Sequence, residues 1–277
     1  MFSLKTFAAI VLAGDRPSDP LAKMSPRNRK CLLDLHGQPM LLHVLDTLSS
    51  SPQIGNIVVV ANAVTDLTSY VSVRDWCRRN HSKNISFVEG ADGPAASVLS
   101  ALKMGQLNSP PILLTTADNP LLSGDALSQF CLAIQRMGNA DVAIALATRS
   151  SVQSSFPNAK RTYIMLQKEG YTGCNLFAFL TNSAEQAATT WQSIEAHRKN
   201  AWRFISFFGI LTLIKALIGN LSLESAFKAV SKSMSLIVKP VILNDPSAAM
   251  DVDRPEHIEI VEKLLKKKGL SVQARHQ

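Results

Sequence analysis

Short apolar, β-branched runs alternate with helix-patterned stretches along almost the whole chain, and this alternation limits the fold more than any single motif does. The runs predict strands at Thr6–Leu12, Asn56–Ala61, Asn84–Val88, Ile112–Thr116, Asp141–Ala147, Thr162–Leu166, Leu176–Phe179 and Ser235–Leu243. The stretches between them predict helices at Met40–Ser50, Asp66–Arg79, Ala95–Leu107, Asp125–Met137, Ala184–Lys199, Trp202–Ile218, Leu223–Ser233 and Pro255–Lys268. Asp253 reads as the N-cap of the last helix, which is expected to stop before Gly269. Several strands are apolar throughout, as strands are when helices cover both faces of a sheet. The expectation is a three-layer α/β/α domain with a mostly parallel, Rossmann-like sheet. One stretch breaks the rhythm: residues 182–234 read as consecutive helices with no strand between them, a helical insertion within a single domain spanning 1–277.

Composition removes several classes of function. With 46% hydrophobic and 18% charged residues, the chain has ample apolar surface to offset the entropy of folding. The net charge of +8 is scattered, with one modest cluster at Lys266–Lys268. Nucleic-acid binders usually concentrate their charge on one face, and an anionic small substrate explains the surplus equally well; no nucleic-acid partner is expected. Cys31, Cys77, Cys131 and Cys174 lie far apart, without zinc or redox spacing, and read as reduced thiols of a cytoplasmic protein. The apolar run Phe7–Ala13 is short for a signal peptide and lacks an A-x-A-like site, so it reads as a first strand. No uncharged apolar run approaches the ~18 residues of a transmembrane helix.

The first strand ends at Leu12-Ala13-Gly14, and a polar loop broken by proline then leads to Lys30. The two best-known phosphate loops, G-x-x-x-x-G-K-[ST] and G-x-G-x-x-G, are absent, as are H-E-x-x-H and G-x-S-x-G. A glycine at a strand's carboxyl end still lets backbone N–H groups approach an anion, at the edge where α/β sheets gather ligands. Arg16 and Lys30 would add fixed positive charge. A tight turn with solvated basic residues accounts for these residues equally well. Further along, "ILLTTADNPLL" is a strand delivering Asp118 at its tip, and "AAMDVDRPEH" sets Asp251 and Asp253 before the last helix. Carboxylates at strand ends suit a hard cation such as Mg²⁺. "EGADGPAASVLSAL" is a turn running into a helix that carries Ser97. His36 and His43 read as core or surface histidines.

Taken in order, these segments resemble a family of nucleotidyltransferases with a GT-A-like fold, the one containing molybdopterin guanylyl- and cytidylyltransferases. The cytidylyltransferase of the methylerythritol pathway is a further relative of that pattern. "VLAGDRP" and "KCLLDLHGQPML" are similar to the family's L-A-G-G-x-x-x-R and K-x-L-L-x-L-x-G-x-P-M-L, with a longer spacer; "ADNP" and "DVDRPEH" match its later motifs. The resemblance covers residues 6–180 and 235–268. It implies backbone contacts to a nucleotide from Leu12, Ala13 and Gly14, and phosphate contacts from Lys30 and, with altered spacing, Arg16. It implies Mg²⁺ ligation by Asp118 and Asp251, Ser97 near the nucleotide, and a base contact from Asn62. The implied reaction moves a nucleoside monophosphate from an NTP, CTP or GTP, to a phosphorylated acceptor and releases pyrophosphate. One position departs from the pattern: Asp15 stands where the loop's second glycine belongs, and it is expected to turn away from phosphate or to pair with Arg16.

Two other readings of the same scaffold stay open: a glycosyltransferase using a nucleotide sugar, and a non-catalytic nucleotide-binding module. The stretch 198–221 is rich in Phe, Ile and Leu and has no clean polar face. It reads as a buried helix, a homodimer contact, or an interfacial helix that would suit a lipid-linked acceptor.

Overall fold

The computed structural model describes residues 6–15, 19–80, 83–103, 107, 110–159, 161–197 and 220–273. In chain order the elements are β1 (Phe7–Leu12), α1 (Pro20–Lys23), β2 (Asp34–Leu35), β3 (Gln38–Pro39), α2 (Met40–Ser50), β4 (Ile54–Ala61), α3 (Val64–Thr68), α4 (Val71–Arg79), β5 (Asn84–Glu89) and α5 (Pro94–Lys103). They continue with β6 (Ile112–Thr116), α6 (Gly124–Arg136), β7 (Val142–Thr148), α7 (Arg149–Ser155), β8 (Ile164–Leu166), β9 (Glu169–Phe179), α8 (Ala184–His197), α9 (Leu223–Met234), β10 (Val238–Ile242) and α10 (Pro255–Gln273). The main sheet runs β10-β7-β9-β6-β1-β4-β5, with β8 hairpinned onto β9. Strands β6, β1, β4 and β5 are mutually parallel, and β10 is parallel to β7.

β9 is the exception to the expected parallel sheet. It lies antiparallel between β6 and β7 and extends well before the Leu176–Phe179 run. Two glycines, Gly170 and Gly173, interrupt its first half and hide the strand from a sequence reading.

Strand alternation divides the core into two layers. Ala9, Val11, Ile57 and Val59 point to one face and pack with Leu41, Leu45, Trp76, Leu127 and Phe130 from α2, α4 and α6. Ile10, Val58, Val60 and Val88 point to the other, against Val98 and Ala101 of α5 and Ala187 and Ala188 of α8. Trp191 stacks on Phe177 at 6.4 Å between ring centroids, and Phe227 and Val230 of α9 join the same cluster. The described ends of segment 182–234 therefore belong to the second helical layer and are not an appendage to it. The helix expected at Trp202–Ile218 lies outside the described residues, as do residues 198–219 of the 198–221 stretch, for which membrane and dimer contacts are expected.

A third cluster positions the site. Leu21, Leu33, Leu35, Met40 and Leu121 pack with Met250, Val252, Val261 and Leu265, all buried. It joins the segment after β1 to the segment before α10. Within it, His36 (φ 56°) and Gly37 (φ 82°) form the two-residue turn of the β2–β3 hairpin, with Asp34 Oδ1 accepting from Gly37 N at 2.9 Å. Glycine is favoured there because that turn requires left-handed backbone.

Three boundaries differ from expectation. The helix expected over Asp66–Arg79 is two, α3 and α4, divided where Ser69 Oγ donates back to Asp66 O at 3.0 Å and Tyr70 turns extended (ψ 128°). The last helix continues through Gly269 to Gln273, since glycine inside a helix costs only about 1 kcal/mol relative to alanine. Asp253 does not act as a simple cap, because Lys30 holds its carboxylate, as described next.

Candidate active site

The site forms at the carboxyl ends of β1 and β6, the rim where an α/β sheet presents ligands. Backbone bonds carry the pairing past the strand ends: Ala13 N donates to Val60 O at 2.7 Å and Ala117 N to Leu12 O at 2.8 Å. Leu12 and Ala13 are thereby fixed in the sheet and Gly14 emerges exposed at its edge. A Cβ on Gly14 would stand 2.9 Å from Oδ1 of the exposed Asn62, so the glycine lets that side chain lie against the turn without moving aside.

Lys30 is buried. Its Nζ donates to Asp118 Oδ2 at 2.8 Å and to Asp253 Oδ1 at 3.0 Å, with Asp19 Oδ2 at 3.9 Å. Burial alone would lower the ammonium's pKa, but the carboxylates of Asp118 and Asp253 outweigh it and raise the pKa, so Lys30 stays charged. Asp253 shows the reciprocal effect: burial pushes its pKa up, and Lys30 more than compensates, holding it below the usual carboxylate range.

Asp118 is fixed from two sides. Thr116 Oγ1 donates to its Oδ1 at 2.5 Å, and its carbonyl accepts from Val252 N at 2.9 Å. Next to it the fully buried Asn119 donates from Nδ2 to Cys174 O at 2.9 Å and Ala248 O at 3.2 Å. The Asp118 turn, β9 and the segment before α10 are thus tied at one point. Along that segment, Met250 and Val252 point into the third cluster while Asp251 and Asp253 turn toward the basic side chains.

Asp251 takes a different partner from its neighbour. It is ion-paired with Arg161 Nη1 and accepts from Asn175 Nδ2 at 3.0 Å. Burial raises its pKa, Arg161 opposes that, and the nearby charges of Asp253 and Asp118 push it higher still. His257 Nδ1 lies 2.9 Å from the carbonyl oxygen of Asp251, tying the segment to α10.

Both carboxylate oxygens of Asp15 are engaged within the protein. Its Oδ1 accepts from Lys30 N at 2.8 Å and its Oδ2 from Arg29 Nη1 at 3.1 Å. Asp15 therefore builds the frame that holds Lys30; its partner is Arg29, and Arg16 lies outside the described residues. Ser97 is buried and its hydroxyl is engaged by the N–H of Ala91 (3.0 Å) and the carbonyl of Ala91 (3.1 Å), so it shapes the turn after β5. His43, half-buried, sits 2.8 Å from Leu35 O. Burial pushes the thiols of Cys31, Cys131 and Cys174 up to about 12, well above the range of a nucleophilic cysteine.

Lys30 pairs with Asp118 and Asp253, Asp251 lies near enough to Asp118 to feel its charge but pairs with Arg161 and Asn175, and Thr116 holds Asp118. Asp253 carried a signal in the spacing D-V-D, which places alternate residues on one side of an extended segment. Arg161 and Asn175 carried none: Asn175 is brought in by β9's antiparallel course and Arg161 by the segment before β8, which hairpins onto β9.

Among the described residues no three carboxylate, histidine or cysteine side chains converge closely enough to enclose a metal by themselves. The donor chemistry nevertheless fits Mg²⁺ bound with phosphate. Mg²⁺ is characteristically held by one or two carboxylates while phosphate oxygens and water complete its octahedron. Asp118, Asp253 and Asp251 are hard oxygen donors whose charge is balanced here by Lys30 and Arg161. Among the described residues, no helix is long and apolar enough to cross a membrane.

Solved structures carry the same architecture. A hypothetical transferase from Thermus thermophilus aligns with a TM-score of 0.76 at 22% identity, over 91% of this chain and 99% of that one. The 4-diphosphocytidyl-2C-methyl-D-erythritol synthase of Anaerococcus prevotii aligns with a TM-score of 0.59 at 15% identity, over 95% and 100%. At these identities the likeness is one of fold. In sequence, a molybdenum cofactor guanylyltransferase from Shewanella putrefaciens is 32% identical over 138 residues, and one from Shewanella frigidimarina is 30% identical over 137. Each match covers 50% of this chain and 61% of the relative's length. The rim that carries Gly14, Lys30 and Asp118 falls inside residues 9–194, which match the MobA-like NTP transferase domain, and the chain belongs to that family.

Proposed function

We propose that this protein is a nucleotidyltransferase that transfers a nucleoside monophosphate from an NTP to a phosphorylated acceptor and releases pyrophosphate. The observation that carries the reading is the placement of Lys30 between Asp118 and Asp253, carboxylates from distant parts of the chain, beside the open turn at Gly14. GTP and CTP are the favoured donors, since the relatives include guanylyltransferases and a synthetase complexed with CTP.

An acceptor phosphate is already ionised at neutral pH, so its oxygen attacks the α-phosphorus in line without a general base. The new P–O bond forms as the bond to the bridging oxygen breaks, and pyrophosphate leaves with the electron pair. Catalysis is then positioning and charge stabilisation. Leu12 O and Ala13 N are taken by the sheet, so the backbone offered to the nucleotide begins at the Ala13 carbonyl and Gly14; Asn62 beside the turn is the candidate for base contact, and Arg16 belongs to the same loop. Held by Asp118 and Asp251, with Asp253 beside them, Mg²⁺ would neutralise phosphate charge. With a cation bound by the carboxylates, the Lys30 ammonium that they now hold would be available to the negative charge of the phosphates. The match to an NTP transferase domain weighs against a glycosyltransferase. Asp15, the main support for a non-catalytic module, is accounted for by its bond to Lys30 N. Four free cysteines, three of them buried, fit a reducing, cytoplasmic setting.

The test is a pyrophosphate-release screen of the four NTPs against phosphorylated small molecules, with Mg²⁺ and with EDTA. The expected result is release that selects one base and disappears with EDTA. Release that persists in EDTA, or that is unchanged in Lys30→Ala, would count against the proposal.

A further inference from the structure

A cavity of about 250 Å³ is bounded by Asp251 and Asp253, and Lys30 is not among its lining residues. Arg161 and Arg254 line it, with the hydroxyl-bearing Thr162 and Thr172, and Asp251 and Asp253 form its wall. Arg161 is unusual in two respects. Its side chain is nine-tenths buried, and its Nε is buried with no hydrogen-bond partner although Nη1 is paired with Asp251. An unpaired guanidinium N–H away from water is destabilising, and it persists where a ligand completes it. Arg254, exposed at the cavity, adds a second guanidinium with no acidic partner within ion-pair distance among the described residues.

We propose that this cavity is the subsite for the acceptor's phosphate, with Arg161 and Arg254 as its anion-binding residues. The inference rests on the nucleotidyltransferase reading and assigns the acceptor side of that site. Guanidinium matches a tetrahedral phosphate through paired N–H donors, and the two threonine hydroxyls can donate to the remaining oxygens. The carboxylates then stand between two cations: Lys30 on the nucleotide side and Arg161 on the acceptor side. Asp253 belongs to both, accepting from Lys30 and walling the cavity. A cation held by Asp251 would take over the charge that Arg161 now balances, leaving the Arg161 guanidinium free to bind the acceptor phosphate.

The experiment uses the full chain saturated with the Mg²⁺ complex of GTP or CTP, whichever the wild type binds, and titrates inorganic phosphate by calorimetry. Arg254→Gln is exposed and keeps the fold; Arg161→Gln is the stronger variant. Each is expected to weaken phosphate binding by about tenfold or more; Arg254→Gln, whose side chain pairs with none of the carboxylates among the described residues, should hold nucleotide affinity within about twofold of wild type. Lys30→Ala should do the reverse. Glycerol 3-phosphate and vesicles of phosphatidylcholine with phosphatidic acid separate a soluble from a lipid-linked phosphate; Arg254-dependent binding of either supports the subsite. Phosphate binding that is equal in wild type and both variants, or absent from a wild type that binds nucleotide, overturns the subsite and leaves the nucleotidyltransferase reading standing. A wild type that binds neither nucleotide overturns both.

Discussion

Val252 donates its backbone N–H to the carbonyl of Asp118 at 2.9 Å. This bond joins the tip of β6 to the segment before α10. With Val252 locked inward in the third cluster, Asp251 and Asp253 on either side of it are forced outward. The basic groups divide between them, Lys30 to Asp253 and Arg161 to Asp251. A single buried valine thus sets the position of two carboxylates at the rim.

Replacing Lys30 with methionine keeps the aliphatic stem and removes the charge. Pyrophosphate release is expected to fall about 10²–10³-fold, with near-unchanged circular dichroism showing an intact fold. A variant retaining wild-type rate would separate Lys30 from the chemistry.

The same substitution has a signature in pH. Asp253 titrates below the ordinary carboxylate range of about 3.9 because Lys30 outweighs burial. Its contribution to stability is therefore complete above the unfolded value and is lost as pH falls through the depressed folded value. In Lys30→Met the Asp253 carboxyl should move up, and the stability gap between wild type and variant should narrow on acidification. Asp251 has the opposite sign: burial raises it, so its contribution is present at low pH and is lost as pH rises through the folded value. Carbon-detected NMR titration of the two carboxyls distinguishes them, with Asp251 titrating above Asp253.

Thr116 positions Asp118 through the 2.5 Å hydrogen bond. Thr116→Val keeps the shape and removes the donor. The apparent Mg²⁺ affinity in the nucleotide complex should drop about 10–100-fold, and excess Mg²⁺ should restore much of the rate. A purely structural role would lower stability without shifting the Mg²⁺ dependence.

Asp15 is a framework residue on this structure. Asp15→Gly, which restores the glycine of the resembled pattern, removes the acceptor for Lys30 N and the partner of Arg29. Urea denaturation should show a loss of about 1–3 kcal/mol. A gain in stability would mean that the bonds to Lys30 and Arg29 contribute nothing net.

These contrasts show what the sequence could reveal. Apolar runs such as Ile112–Thr116 announce buried strands because both faces are covered. The rim residues Gly14, Lys30 and Asp118 were legible because each follows such a run or sits in a motif. The first half of β9 was not, because Gly170 and Gly173 interrupt its pattern and it is held as strand by pairing with β7 and β8. Arg161 and Asn175 went unseen with it. Asp15 resembled an electrostatic defect because its compensation, the N–H of Lys30, is backbone and has no sequence signal.

The most direct test of the central claim is the equilibrium affinity of the full chain for GTP and CTP, measured with Mg²⁺ and with EDTA, in wild type, Lys30→Ala and Asp118→Ala. The account predicts Mg²⁺-dependent binding of one of them by the wild type, weakened at least about tenfold in each folded variant. Equal affinity in all three proteins, indifferent to EDTA, would contradict it.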